Sequence, residues 1–136
     1  MIKLPIFSVH DLIPYVRLLQ KDPFEKLLCL SLDHKESVLG HIFIEAGSVT
    51  SITFAMSHLF TDPLKLNAKA ILVVHTHPNG IVLPSVGDIQ VTRHIQKAGD
   101  ILGIPLKDHV IFTNTAYYSF LENGLLRQAN TSFRLS

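Results

Sequence analysis

The chain has 136 residues, of which 47% are hydrophobic and only 17% charged, and its formal net charge is +1. That length suits one ordinary domain with a real hydrophobic core, and the composition excludes a disordered chain. The twelve Lys and Arg residues are scattered, with Lys65, Lys69, Arg93 and Lys97 at most loosely grouped, so the charge does not point to direct nucleic-acid binding.

Residues 1–23 read as a lead-in and a helix, and 24–136 as the body of a single domain. Ser8 is a candidate N-cap for a helix over about 9–21, with Leu12, Val16 and Leu19 at helical spacing and Pro14 in the first turns. These first residues lack the pattern of a secretory signal, and no apolar run approaches the roughly 20 residues that span a bilayer, so a cytoplasmic protein with no membrane association is expected. Residues 25–33 and Val38–Glu45 read as two strands of a hairpin around Asp33-His34-Lys35-Glu36. Cys29, the only cysteine, lies in the first of them; it excludes an intramolecular disulfide and reads as a buried structural thiol.

A helix is expected from about Thr53 to Leu66, interrupted or restarted at Pro63. Ala70-Ile71-Leu72-Val73-Val74 is a central strand, and His75-Thr76-His77-Pro78-Asn79-Gly80 continues it into a loop. Ser85 caps the clearest helix of the chain, with Asp88 in the capping-box position. Ile89, Ile95, Ala98 and Leu102 form its buried stripe, Gly103 closes it and Pro105 follows. Strands are expected over 109–113 and 117–120, and a short helix over about 120–127. One domain of α+β or α/β type accommodates these elements.

The chemistry concentrates at His75, His77 and Asp88. In an extended chain, side chains two apart face the same way, and the loop from Pro78 to Pro84 is long enough to bring the helix start over the strand end. Two imidazoles and one carboxylate are a donor set suited to zinc with one position open. A lone His-x-His pair is weak evidence, since most such pairs are surface or core histidines; His-x-His-Pro, six residues, then Ser-x-x-Asp is far more specific. His10, His34, His41, His58 and His94 read as surface or satisfied histidines and not as ligands. His109, after Asp108, reads first as such a histidine too, with support of the ligands from behind as the less favoured alternative. Tyr117 and Tyr118 read as packing residues.

His75-Thr76-His77-Pro78-Asn79-Gly80 and Pro84-Ser85-Val86-Gly87-Asp88-Ile89 resemble the JAMM motif of JAB/MPN-domain metalloproteases, and more closely the bacterial RadC family. The similarity runs from about residue 24 to 126, through Leu66-Asn67-Ala68, Asp108-His109, Tyr117-Tyr118-Ser119 and Gly124-Leu125-Leu126. The resemblance implies an α/β/α layered, JAB/MPN-like and cytidine-deaminase-like mixed sheet flanked by helices. It implies Zn2+ held by His75, His77 and Asp88, with Ser85 stabilising an oxyanion and a glutamate as general acid/base. Glu25 aligns with that glutamate, and Glu45 is the rival. The implied activity is hydrolysis of a peptide or isopeptide bond by a zinc-activated water. The alternative is a metal-binding but non-catalytic interaction module associated with DNA repair or maintenance, a label carried by the family name. A nucleobase deaminase of similar architecture needs a Pro-Cys-x-x-Cys pair, which one cysteine excludes.

Two departures stand out. Residues 1–23 are too short for the helix-hairpin-helix region of full-length RadC proteins, and the family's Val-His-Pro-Arg-Glu-Val-Phe helix reads Phe54-Ala55-Met56-Ser57-His58-Leu59-Phe60 here. The low charge leaves room for an apolar surface covered by a partner or by a second copy in a homodimer.

Overall fold

A computed structural model describes residues 5–21, 26–45 and 52–126. Strands β1 (Lys26–Leu32) and β2 (Val38–Glu45) form the expected hairpin. Asp33 organises its turn, because its short carboxylate accepts the N–H groups of Lys35 at 2.8 Å and Ser37 at 3.0 Å. β3 (Ala70–Thr76) lies between β1, to which it is antiparallel, and β4 (Leu106–Phe112), to which it is parallel. β5 (Tyr117–Ser119) adds antiparallel to β4, so the sheet order is β2-β1-β3-β4-β5. A parallel pair cannot be joined by a tight turn, and helix α3 (Val86–Leu102) supplies the crossover.

The apolar run of β3 follows from its central place, since both faces of the sheet are covered. On one face Cys29, Ile71, Val73 and Ile111 pack with Leu59 and Phe60 of α2 (Ile52–Lys65) and Ile95 of α3. On the other, Leu28, Leu30, Leu72, Val74 and Val110 pack with Leu12, Val16 and Leu19, from a 3-10 turn (Val9–Leu12) and α1 (Ile13–Gln20). The result is an α/β/α arrangement of a mixed five-stranded sheet. Burying each such aliphatic side chain contributes about 1.5–3 kcal/mol. Cys29 is fully buried, and burial pushes its thiol up to about 12, with the Asp62 carboxylate adding to the effect.

Several elements differ from expectation. The first helix starts as a 3-10 turn, because the Asp11 carboxylate binds the N–H groups of Phe7 and Ser8 and tightens the entry. α2 runs through Pro63 without interruption. The proline withholds one donor close to the helix end, where few bonds remain to be lost. The helix then closes on Asn67, at φ 55, with the Ala68 N–H on the Pro63 carbonyl at 2.9 Å.

In α3, Leu102 is not in the buried stripe but 43% exposed, and Gly99 is buried in its stead. A Cβ at Gly99 would lie 2.4 Å from the Ile104 carbonyl oxygen, so the chain leaving the helix passes where a side chain would sit. β4 begins at Leu106, three residues before the expected His109, since its pairing with Ile71 starts there. The expected helix over 120–127 is only a turn through its described part. The Leu125 N–H folds back onto the Phe120 carbonyl at 2.8 Å, and residues from 127 lie outside the description. Among the described residues, no helix is long and apolar enough to cross a membrane.

Candidate metal centre

His75 sits near the end of β3, on the same face as Ile71 and Val73, and is only 2% exposed. The extended chain continues past the strand, since the His77 N–H donates to the Phe112 carbonyl at 3.0 Å. Both rings therefore come to the α3 side, with centroids 4.8 Å apart and planes at 85°. A turn follows in which the Gly80 N–H reaches the His77 carbonyl at 3.2 Å. Gly80 holds φ 80, which a residue with a Cβ resists. This turn returns the Ile81 carbonyl to His77 Nδ1 at 2.7 Å. A carbonyl only accepts, so Nδ1 carries the proton and Nε2 presents its lone pair.

Asp88 arrives from the first turn of α3. The Asp88 N–H donates to Ser85 Oγ at 3.0 Å, and the Ser85 N–H donates to Asp88 Oδ2 at 2.8 Å, which completes the expected capping box. The carboxylate meets His77 Nε2 at 3.1 Å through Oδ2 and His75 Nδ1 at 3.7 Å through Oδ1. Partial burial opposes ionisation. The Ser85 N–H, His75, the Ser85 hydroxyl and His77 outweigh it and hold the Asp88 carboxyl below the usual carboxylate range. One ligand atom from each of His75, His77 and Asp88 lies within 4.8 Å of the others, a group that could hold a metal ion. The donor set fits such an ion: one imidazole has its tautomer set by a carbonyl, and the carboxylate is ionised.

Support comes from β4. His109, level with Val73 in the parallel register, stacks on Phe120 with centroids 4.6 Å apart and is 1% exposed. Its Nδ1 lies 2.6 Å from Thr92 Oγ1, and that hydroxyl donates to the Asp88 carbonyl at 2.7 Å. The hydroxyl has one proton, so His109 Nδ1–H donates to it, and the two bonds run as a buried relay into the first turns of α3. Burial, with a smaller effect from His75, pushes the His109 imidazole down to about 3 and keeps it neutral. Below it, Asp108 accepts from Ser119 Oγ and from the N–H groups of His109 and Leu121, which pins β5 and the following turn.

Among the residues singled out from the sequence, the fold thus brings together His75, His77, Ser85 and Asp88, and sets His109 behind them. Ser85 is exposed, and its Oγ accepts at the helix cap while its own proton remains available. Glu25 lies outside the described residues. Glu45 ends β2 opposite Lys26, in the register row of Leu28 and Leu30 and not in that of Leu27, the partner of His75. His10, His34, His41, His58 and His94 are all exposed. The sequence reading missed Thr92, whose one signal was its position four residues after Asp88. It also missed the Ile81 carbonyl, which no side-chain pattern marks.

Comparison with known proteins agrees with this architecture. A family model described as a RadC-like JAB domain matches residues 6–125. A UPF0758 protein of Chlorobaculum parvum is 39% identical over 102 residues, covering 75% of this chain and 46% of its own. UPF0758 protein CT0611 of Chlorobaculum tepidum is 36% identical over 124 residues, covering 90% and 56%. A UPF0758 protein of Desulfitobacterium hafniense is 37% identical over 117 residues, covering 86% and 50%. The chain spans about half the length of the curated relatives it matches. By the extent of the family match and the sheet, helices and motif that carry it, the chain belongs to the RadC-like JAB domain family.

Proposed function

We propose that the chain is a zinc-dependent hydrolase domain that cleaves a peptide or isopeptide bond. The observation that carries this reading is the convergence of His75, His77 and Asp88 within 4.8 Å, beside an open cavity of about 650 Å³. Zinc in such a set supplies a Lewis acid that polarises a carbonyl and brings the pKa of water toward ~7. The chain's own residues do the rest. The Ser85 N–H aims the Asp88 carboxylate, and the Ile81 carbonyl holds His77 in the tautomer that frees Nε2. The exposed Ser85, which lines the cavity, donates through its hydroxyl to the oxyanion that develops on the scissile carbonyl.

Glu25 takes a proton from the attacking water and returns it to the leaving amine. Two facts support Glu25 over Glu45: in sequence it stands two residues before Leu27, the partner of His75, whereas Glu45 falls in the other register row. The natural setting of the reaction is the cytoplasm.

Zinc stoichiometry tests the site. Native protein is expected to hold about one zinc per chain and His77→Ala none, and absence of zinc from reconstituted native protein would sink the reading. Glu25→Gln separates catalysis from mere metal binding, since it should keep zinc and lose turnover on any amide substrate found for the native protein.

A further inference from the structure

The cavity beside the candidate ligands has an unusual wall. Its titratable side chains are His77 and Asp88, which the proposed metal would occupy, and the acceptor of Asn79 is already taken by the Ile81 N–H at 2.9 Å. Asn79 keeps its amide N–H groups and Ser85 its hydroxyl, and the other four lining residues, Pro78, Ile81, Leu83 and Pro84, are apolar. Ile81 is 59% exposed and Leu83 63%, whereas Val82 between them turns inward and packs against the core. The loop is anchored at both ends, by His77 and Asn79 on Ile81 and by the capping box at Ser85. Two aliphatic side chains are thus displayed on a fixed backbone, at little ordering cost to binding.

The geometry points to Ile81 and Leu83 as the specificity element of the site: they receive an aliphatic side chain of an extended polypeptide, next to the bond that is cut. The inference rests on the hydrolase reading and deepens it by naming the substrate class. An acidic or basic side chain finds no countercharge in this wall. A second folded protein needs an interface of about 800 Å² per partner, which two side chains do not provide. An extended segment with one Leu, Ile or Val beside the scissile amide fits both the apolar wall and the adjoining Ser85 hydroxyl.

The test measures binding and not turnover. Zinc-loaded protein is titrated with N-acetylglycine hydroxamate and N-acetylleucine hydroxamate, two chelating probes that differ only in the side chain. The leucine probe is expected to bind about tenfold tighter. In Ile81→Ser/Leu83→Ser, which alters only exposed side chains, the ratio should fall toward one, with zinc content measured alongside. Equal affinities in the native protein, or a ratio that survives in the variant, would overturn the assignment. So would a protein that holds zinc yet binds neither probe, while a protein that takes up no zinc brings down the hydrolase reading itself.

Discussion

Replacing Thr92 by Val isolates the relay behind Asp88. The side chain keeps its shape and gains an apolar methyl, so an idle hydroxyl predicts an unchanged or slightly more stable protein. The structure predicts the opposite. Thr92 is 2% exposed and His109 1%, and Thr92 Oγ1 is the acceptor for His109 Nδ1–H. His109 Nε2 already has no hydrogen-bond partner, so the variant would leave both ring nitrogens of a fully buried imidazole unsatisfied. An orphaned buried donor costs about 1–3 kcal/mol, and the added methyl offsets somewhat less than ~1 kcal/mol of it. The net expectation is a loss of about 1–2 kcal/mol, read by urea unfolding of chelator-treated protein so that metal linkage does not enter. His109→Phe keeps a ring against Phe120 but carries no N–H. In that background Thr92→Val should cost little, giving a coupling of about 1–2 kcal/mol. A Thr92→Val protein as stable as the native one, or strictly additive effects in the cycle, would refute the relay.

Three further perturbations read other parts of the same assembly. His109 is held neutral in the fold, down to about 3, while the unfolded chain takes up its proton from its ordinary 6.5. Stability should therefore fall as pH drops through that window, by at most ~1.4 kcal/mol per pH unit for this group, and His109→Phe should flatten the profile measured by denaturant titration. Ser85→Ala removes the cap acceptor and should cost about 1 kcal/mol. It spares the backbone N–H on Asp88, so zinc content should stay near one per chain while turnover drops on the order of 10²–10³-fold; loss of zinc would contradict this division of labour. Gly99→Ala pits helix propensity, which favours Ala by about 1 kcal/mol, against a Cβ placed 2.4 Å from the Ile104 carbonyl oxygen. The clash wins, with a net loss of about 1–3 kcal/mol, and a raised Tm would show that the helix end can yield.

The ligand group was legible because each of its members obeys a local rule. His75 and His77 are two apart in an extended segment, and Asp88 is three residues after an N-cap serine, so period and capping aim the three side chains. Their reading as a ligand set rests on the longer string and its resemblance to the RadC family. What local rules could not supply depends on register. His109 reaches Thr92 only because β4 runs parallel to β3 with His109 level with Val73, a pairing between residues 36 apart in the chain. Leu102 keeps the helical period of Ile95 and Ala98, yet the crossing of the chain at Ile104 decides that Gly99 is buried and Leu102 is not. The same applies to the glutamates. The alignment favours Glu25 over Glu45, and the antiparallel register bears only on Glu45: it pairs with Lys26, in the other row from Leu27, the partner of His75, while Glu25 lies outside the described residues. The side chains that could hold a metal ion fall within two short segments, whereas those packed behind them are distributed over strands whose neighbours only the folded sheet defines. Variants in the first group should therefore change zinc content, and variants in the second should change stability or pH response with zinc retained.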